Sequence, residues 1–229
     1  MSLAGKRILV TGGTGLLGRA LVPRLLEDGA WVAVTYRSND ELAELLGLLD
    51  PDGPQPKAIG CELADADSVE RLAEELAQSG DLPLQGLACL ADGWAGGKPL
   101  WEAPGDELHD MLRTNLLPTW RVLQRFAGGM AEAGYGRIVT VGARHAVRGF
   151  KHSAAYAAAK GGVVSLTLSL AEDLRGTGVT ATCVLPSSMR EGGGGHSVPT
   201  DDVAAAVAWL LDDAAGVVDG ALLPVYGSA

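Results

Sequence analysis

Residues 7–18 read Arg-Ile-Leu-Val-Thr-Gly-Gly-Thr-Gly-Leu-Leu-Gly, a short apolar run followed at once by a glycine-rich turn. Arg7-Ile8-Leu9-Val10 has the length and continuous apolarity of a strand buried on both faces. The turn carries Gly13-x-Gly15-x-x-Gly18 and opens a helical pattern that runs to about Glu27, closed by Asp28-Gly29. Strand, turn and helix in that order leave free backbone N–H groups at a helix N-terminus, where a pyrophosphate can approach closely. A turn that only packs helix on strand has the same composition. Its place in the first β-turn-α unit favours the phosphate reading.

The alternation continues outward from this unit. Residues 31–36, 57–60, 86–91, 137–141, 179–185 and 221–225 read as further strands. Residues 41–49, 67–78, 106–133, 153–175 and 201–211 read as helices; Val69, Leu72, Ala73 and Leu76 show the three-and-four spacing of an amphipathic one. Repeated β-α units with apolar strands predict an α/β fold: a doubly wound parallel sheet, helices on both faces, ligands at the carboxyl ends of the strands. Pro224 places the last strand at a sheet edge. Without an internal repeat or a long linker, residues 1–229 read as one domain holding both cofactor and substrate sites. The four glycines at 192–195 read either as a plain surface loop or as a short lid.

Composition narrows the class of partner. The 229 residues carry a formal charge of −10 with no local run of Lys or Arg, which disfavours nucleic acid and anionic membranes. No apolar stretch approaches the ~20 residues of a membrane span. Cys61, Cys89 and Cys183 lack metal-ligand spacing and read as small buried hydrophobes, so no metal is expected. The few residues before the first strand leave no room for a signal peptide, and a reducing, cytoplasmic setting is the expectation.

At the end of the second strand, Val34-Thr35-Tyr36-Arg37-Ser38 offers no acid to grip a ribose 2′-hydroxyl. Arg37 is placed to meet a 2′-phosphate instead, which favours NADP(H); Asp40 nearby keeps NAD(H) open. Tyr156-Ala-Ala-Ala-Lys160 lies early in the long helix at 153–175, with both side chains on one face. A phenol with the ordinary pKa of about 10 exchanges protons poorly at neutral pH, and a nearby ammonium is expected to lower that value.

With these features the chain resembles the short-chain dehydrogenase/reductase family over essentially its whole length. The shared residues are Thr11-Gly12-x-x-Gly15-x-x-Gly18, Cys61-Glu62-Leu63, Arg113-Thr114-Asn115-Leu116, Gly136-Arg137-Ile138-Val139 and Tyr156-x-x-x-Lys160. The resemblance implies a seven-stranded sheet in the order 3-2-1-4-5-6-7. It makes Tyr156 the general acid/base, Lys160 the holder of the nicotinamide ribose, and Asn115 the anchor of a proton-relaying water. Cofactor contacts are implied at Gly12, Gly13, Thr14, Gly15, Leu16, Leu17 and Gly18, then at Arg37, Ser38, Glu62 and Leu63. Ala91, Asp92, Gly93, Pro186, Ser187, Ser188 and Met189 complete them. A homo-oligomer, dimer or tetramer, is also implied, and apolar faces at 111–122 and 163–174 permit it.

The pattern breaks at the substrate side. The family's serine, thirteen residues before the tyrosine, is Ala143 here, within Val141-Gly142-Ala143-Arg144-His145. The loop after the fourth strand reads Ala91-Asp92-Gly93-Trp94-Ala95-Gly96-Gly97, and Pro186-Ser187 replaces a Pro-Gly pair. These departures resemble the dihydropteridine reductase branch, whose flat, delocalised substrate needs less polarisation at one oxygen; that branch, however, resembles NADH users. Trp94 then stacks on a planar substrate or simply closes the core. His145 can donate in place of the serine or be a chance neighbour, and Ser153 reads as a helix-start residue. Three functions follow: an NAD(P)H-dependent reductase of a small planar or activated C=O/C=N substrate, a general ketone reductase or alcohol dehydrogenase, or a non-catalytic NADP(H)-binding redox sensor.

Overall fold

The computed structural model describes residues 3–80, 83–193 and 197–227, so Gly194 and Gly195 of the glycine run lie outside the described residues. Strands β1 (Arg7–Thr11), β2 (Trp31–Tyr36), β3 (Lys57–Gly60) and β4 (Gly86–Cys89) alternate with helices α1 (Leu16–Glu27), α2 (Asn39–Leu46) and α3 (Ala66–Ala77). After β4 come α4 (Glu107–Met111), a π turn (Leu112–Leu116), α5 (Leu117–Glu132), β5 (Gly136–Val141), α6 (Arg144–Val147) and α7 (Ala154–Asp173). The chain ends with β6 (Val179–Pro186), β7 (Met189–Arg190), β8 (Val198–Pro199), α8 (Thr200–Leu211) and β9 (Leu222–Val225).

Seven strands pair in parallel in the order β3-β2-β1-β4-β5-β6-β9. This is the order expected from the sequence; the seventh sheet strand is numbered nine because β7 and β8 form a separate two-residue ladder. β9 pairs only on its β6 side, so Pro224 sits on an edge, where a missing N–H costs no ladder bond.

Alternation along each strand builds two apolar layers. Ile8 and Val10 face one side with Leu21, Val22 and Leu25 of α1 and Val203 and Val207 of α8. Leu9 faces the other with Leu72 and Leu76 of α3, Val122 and Met130 of α5, and Ala171 of α7. Of the two apolar faces read at 111–122 and 163–174, Met111, Val122, Val163 and Leu174 are buried in the chain's own core, whereas Trp120 remains about half exposed.

Three local differences have physical causes. α2 starts at Asn39 and ends at Leu46, earlier than 41–49, because the Ser38 hydroxyl accepts the Glu41 N–H as an N-cap. The helix read at 106–133 is interrupted by the π turn. Pro118 has no N–H to offer the carbonyl four residues back, and its ring crowds that carbonyl; a widened turn relieves both. α7 is a 20-residue helix with mean hydropathy 1.2, long and apolar enough to cross a membrane, contrary to the reading that no stretch comes near it. Ala155, Ala159, Val163, Val164 and Ala171 bury one side of it in the protein, which accounts for its composition.

All three cysteines are buried and unpaired. Burial pushes each thiol up, Cys89 to about 12. Among the described residues no three His, Cys, Asp or Glu side chains gather as a metal site. Leu21 is wholly buried between α1 and α8, so Leu21→Ala is expected to cost about 2–5 kcal/mol. Leu21→Met, which conserves volume, should cost less than ~1.5 kcal/mol. Urea unfolding of both variants checks the order.

Candidate active site

The glycine turn is tight because Gly12, Gly13 and Gly18 leave no room for a side chain. Gly12 adopts φ 67°, and a Cβ there would lie 2.9 Å from the Ala91 backbone N at the start of the loop after β4. A Cβ on Gly18 would meet the Gly13 carbonyl oxygen at 2.3 Å, so α1 can seat against the turn only with glycine at that position. Gly13 presses on the Val34 side chain. Gly15 is the N-cap of α1, with no side-chain capping bond and no acid in the first turn. The first N–H groups of a twelve-residue helix therefore face an open cleft that can take an anion.

That cleft runs along the carboxyl ends of β1, β2 and β4. It is lined by Gly12, Thr14, Gly15, Leu16, Leu17 and Gly18 at one wall and by Arg37, Glu62, Leu63, Ala91, Asp92 and Met189 elsewhere. Twelve of the residues expected at a cofactor thus surround one space. At the adenosine end, exposed Arg37 has a neighbour that the sequence reading missed. Glu41, in the first turn of α2, also lines the cleft, and its carboxylate accepts a 3.0 Å bond from Thr14 Oγ1. The reading sought an acid at the end of the strand. Ser38-x-x-Glu41 carries the capping-box spacing that marks where the helix begins and so where this acid falls.

Ser38, Pro186, Ser187 and Ser188, also expected at the cofactor, are not among the residues lining this cleft. Ser38 is engaged as the α2 cap. Pro186 is buried in β6; Ser187 Oγ donates to the Tyr226 carbonyl, and the Ser188 carbonyl accepts the Val198 N–H. These bonds hold β7 and β8 against the end of the sheet.

Where β4 and β5 end, α7 and the π turn bring the polar residues together. Lys160 is 1% exposed. Its Nζ donates to the Val141 carbonyl at 3.0 Å and lies 3.1 Å from Asp92 Oδ1. Asn115 is wholly buried in the π turn; its Nδ2 donates to the Gly93 and Met111 carbonyls at 2.8 and 3.1 Å, and its Oδ1 accepts the Gly93 N–H at 3.3 Å. The side chain thus clamps the loop that carries Asp92.

Tyr156 is buried against Ala143, Ala155, Ala159 and Met111. The Lys160 ammonium stands 5.9 Å from its ring centre, farther than from Asp92. Sequence spacing led to the expectation that Lys160 lowers the phenol pKa. In the structure the shift runs the other way: burial raises it, and the Asp92 carboxylate, hydrogen-bonded to it, raises it further. The carboxylate that shares the ammonium's charge was not weighed in the sequence reading.

On the substrate side, Ala143 is buried at the head of α6 and offers no hydroxyl. His145 presents its ring edge to Tyr156 (centroids 5.4 Å apart, planes at 81°) and stacks on Phe150 at 4.1 Å. Burial and the Arg144 charge lower its pKa, which keeps the imidazole neutral at neutral pH. Trp94 is 63% exposed, so it does not close the core. Its loop is tied down at Gly97, whose N–H donates to the carbonyl of His152, a residue in left-handed backbone at φ 61°. Ser153 is the N-cap of α7, but its hydroxyl donates to the Phe150 carbonyl rather than capping the helix.

Residues 6–196 match the family model described as short chain dehydrogenase. A 3-oxoacyl-[acyl-carrier-protein] reductase, MabA, of Mycobacterium tuberculosis is 28% identical over 97% of this chain and 92% of its own length. A 3-oxoacyl-[acyl-carrier-protein] reductase, FabG, of Vibrio harveyi is 31% identical over 81% of this chain and 74% of its own. The solved structure of an NAD+-bound xylitol dehydrogenase superposes with a TM-score of 0.91 at 23% identity, covering 100% of both chains, a likeness of fold. With the glycine turn, the sheet order and this span of similarity in agreement, the chain belongs to the short-chain dehydrogenase family of NAD(P)-dependent oxidoreductases.

Proposed function

We propose that the protein is an NADP(H)-dependent reductase of a carbonyl or imine, with Tyr156 as the proton donor, and that its substrate brings its own activation. One observation carries this reading: Tyr156 and Lys160 stand together beside a cleft built for a dinucleotide, while Ala143 leaves the substrate oxygen without a hydroxyl partner. Bound nicotinamide supplies the hydride. Tyr156 delivers the proton to the substrate oxygen, or to the nitrogen of an imine, and Lys160, one helical turn further on, holds the nicotinamide ribose. Asn115 keeps the Asp92–Gly93 loop in place against both. A missing donor of the serine type costs about 2.7–4 kcal/mol of transition-state stabilisation, which an electron-poor substrate can forgo. Exposed Trp94, two residues after Asp92 on the loop after β4, supports a flat substrate of the dihydropteridine type.

The 3-oxoacyl relatives favour a second reading, a general ketone reductase in which neutral His145 donates in place of the serine. Exposed Arg37 at the cleft supports NADP(H), while Glu41 beside it can accept from a 2′-hydroxyl and keeps NAD(H) open. A protein that only senses the cofactor has no use for a buried Tyr-Lys pair.

Three substitutions test these assignments. Tyr156→Phe should lower kcat for NADPH oxidation about 10²–10⁴-fold while leaving NADPH affinity, read by fluorescence, unchanged. Binding without turnover in the unaltered protein, over a panel of quinonoid dihydropterin, quinones and simple ketones, contradicts the reductase. Ala143→Ser restores the missing hydroxyl and should raise kcat/KM on simple ketones roughly 10–100-fold. Ready turnover of simple ketones before that change, lost in His145→Ala, selects the second reading. Arg37→Asp should move the preference from NADPH to NADH; a lower Kd for NADH than for NADPH in the unaltered protein overturns the NADP(H) assignment.

A further inference from the structure

Resting on the reductase reading, we infer that the Asp92 carboxylate, ion-paired to Lys160, offsets the ammonium's pull on the phenol and so keeps Tyr156 protonated, which weakens the site as a base for the oxidative direction. Reduction places a hydride on the substrate carbon and one proton, from the Tyr156 hydroxyl, on its oxygen. Oxidation reverses this and needs Tyr156 as phenolate to take the proton from the alcohol. A charge that disfavours phenolate therefore slows the oxidative direction at a given pH and leaves the reductive proton in place.

The geometry supports this on three counts. The buried Lys160 ammonium, whose unopposed charge would favour phenolate, has Asp92 Oδ1 at 3.1 Å and the Tyr156 ring centre at 5.9 Å. The nearer carboxylate, its side chain 39% exposed, therefore offsets part of the ammonium's pull on the phenol. The Asp92 carboxylate also accepts the N–H of Gly93 at 3.0 Å, and Asn115 grips Gly93 from both sides, so the carboxylate is fixed. The third count is the set of titratable groups around Tyr156. These are Asp92 on the loop after β4, Lys160 on its own helix, and His145 on α6, whose ring stays neutral. The upward shift of the phenol, to which Asp92 adds after burial, agrees with this arrangement.

The test reads phenolate directly, by ultraviolet difference spectra that need neither substrate nor turnover. Each protein is compared with its own Tyr156→Phe partner to isolate the Tyr156 signal from Tyr36, Tyr135 and Tyr226. At pH about 10, where an ordinary tyrosine is half ionised, the unaltered protein should show no Tyr156 phenolate. Titrated to higher pH, Asp92→Asn should show a Tyr156 midpoint lower than the unaltered protein's by about 1–3 pH units, with burial still holding it above an ordinary tyrosine; Asp92→Glu, which keeps the charge, should not shift it. If Asp92→Asn fails to fold, as judged by circular dichroism, Asp92→Ser removes the same charge. Equal Tyr156 phenolate with and without the Asp92 charge overturns the inference. Failure of the reductase reading is separately visible, as NADPH that binds but is never consumed, and leaves the phenolate result to be judged alone.

Discussion

A buried ammonium must be compensated, and the compensation of Lys160 organises this site. Removing an ion from water costs several kcal/mol even after relaxation, so a lysine 1% exposed persists only where partners are fixed around it. Here the partners are the last carbonyl of β5 and a carboxylate on the loop after β4, which ties α7 to two sheet strands at their carboxyl ends. The π turn contributes by burying Asn115, whose amide clamps the same loop. Tyr156, one helical turn before Lys160, is positioned as a consequence. The cleft of the glycine turn opens beside it because Gly12 packs on Ala91, the residue just before Asp92.

The sequence is legible where physics is local. A buried strand, a turn that only glycines can make, and a helix with a bare N-terminus are all decided within twelve residues, and the parallel sheet order follows from the repeating connection. Tyr156 and Lys160 are legible for the same reason, since four residues in a helix determine a shared face. Legibility fails where a contact spans the chain. Asp92 and Lys160 are 68 positions apart, and nothing in the spacing shows that one carboxylate would meet the ammonium and reverse the expected effect on the phenol. Glu41 was hidden differently: the acid lies in the helix after the strand, displaced by a cap whose pattern is local but was not used.

The same distinction separates family from chemistry. Family membership rests on features that many residues share. The proposed chemistry depends on a few positions, namely Ala143 where the family pattern has a serine, the Asp92 carboxylate beside Lys160, and Trp94, left 63% exposed on the same loop as Asp92. Ala143 leaves out a donor and Asp92 adds a charge, and at reacting atoms a single hydrogen bond is worth a hundredfold or more in rate.

The most direct test is a single-turnover experiment in which the protein, loaded with NADPH deuterated at C4, is mixed with an activated carbonyl and the loss of reduced nicotinamide absorbance is followed. The account predicts a decay that is slower than with the protiated cofactor, as hydride transfer to the bound substrate requires. Tight binding with no decay for any member of a panel of quinones, quinonoid dihydropterin and ketones would contradict it.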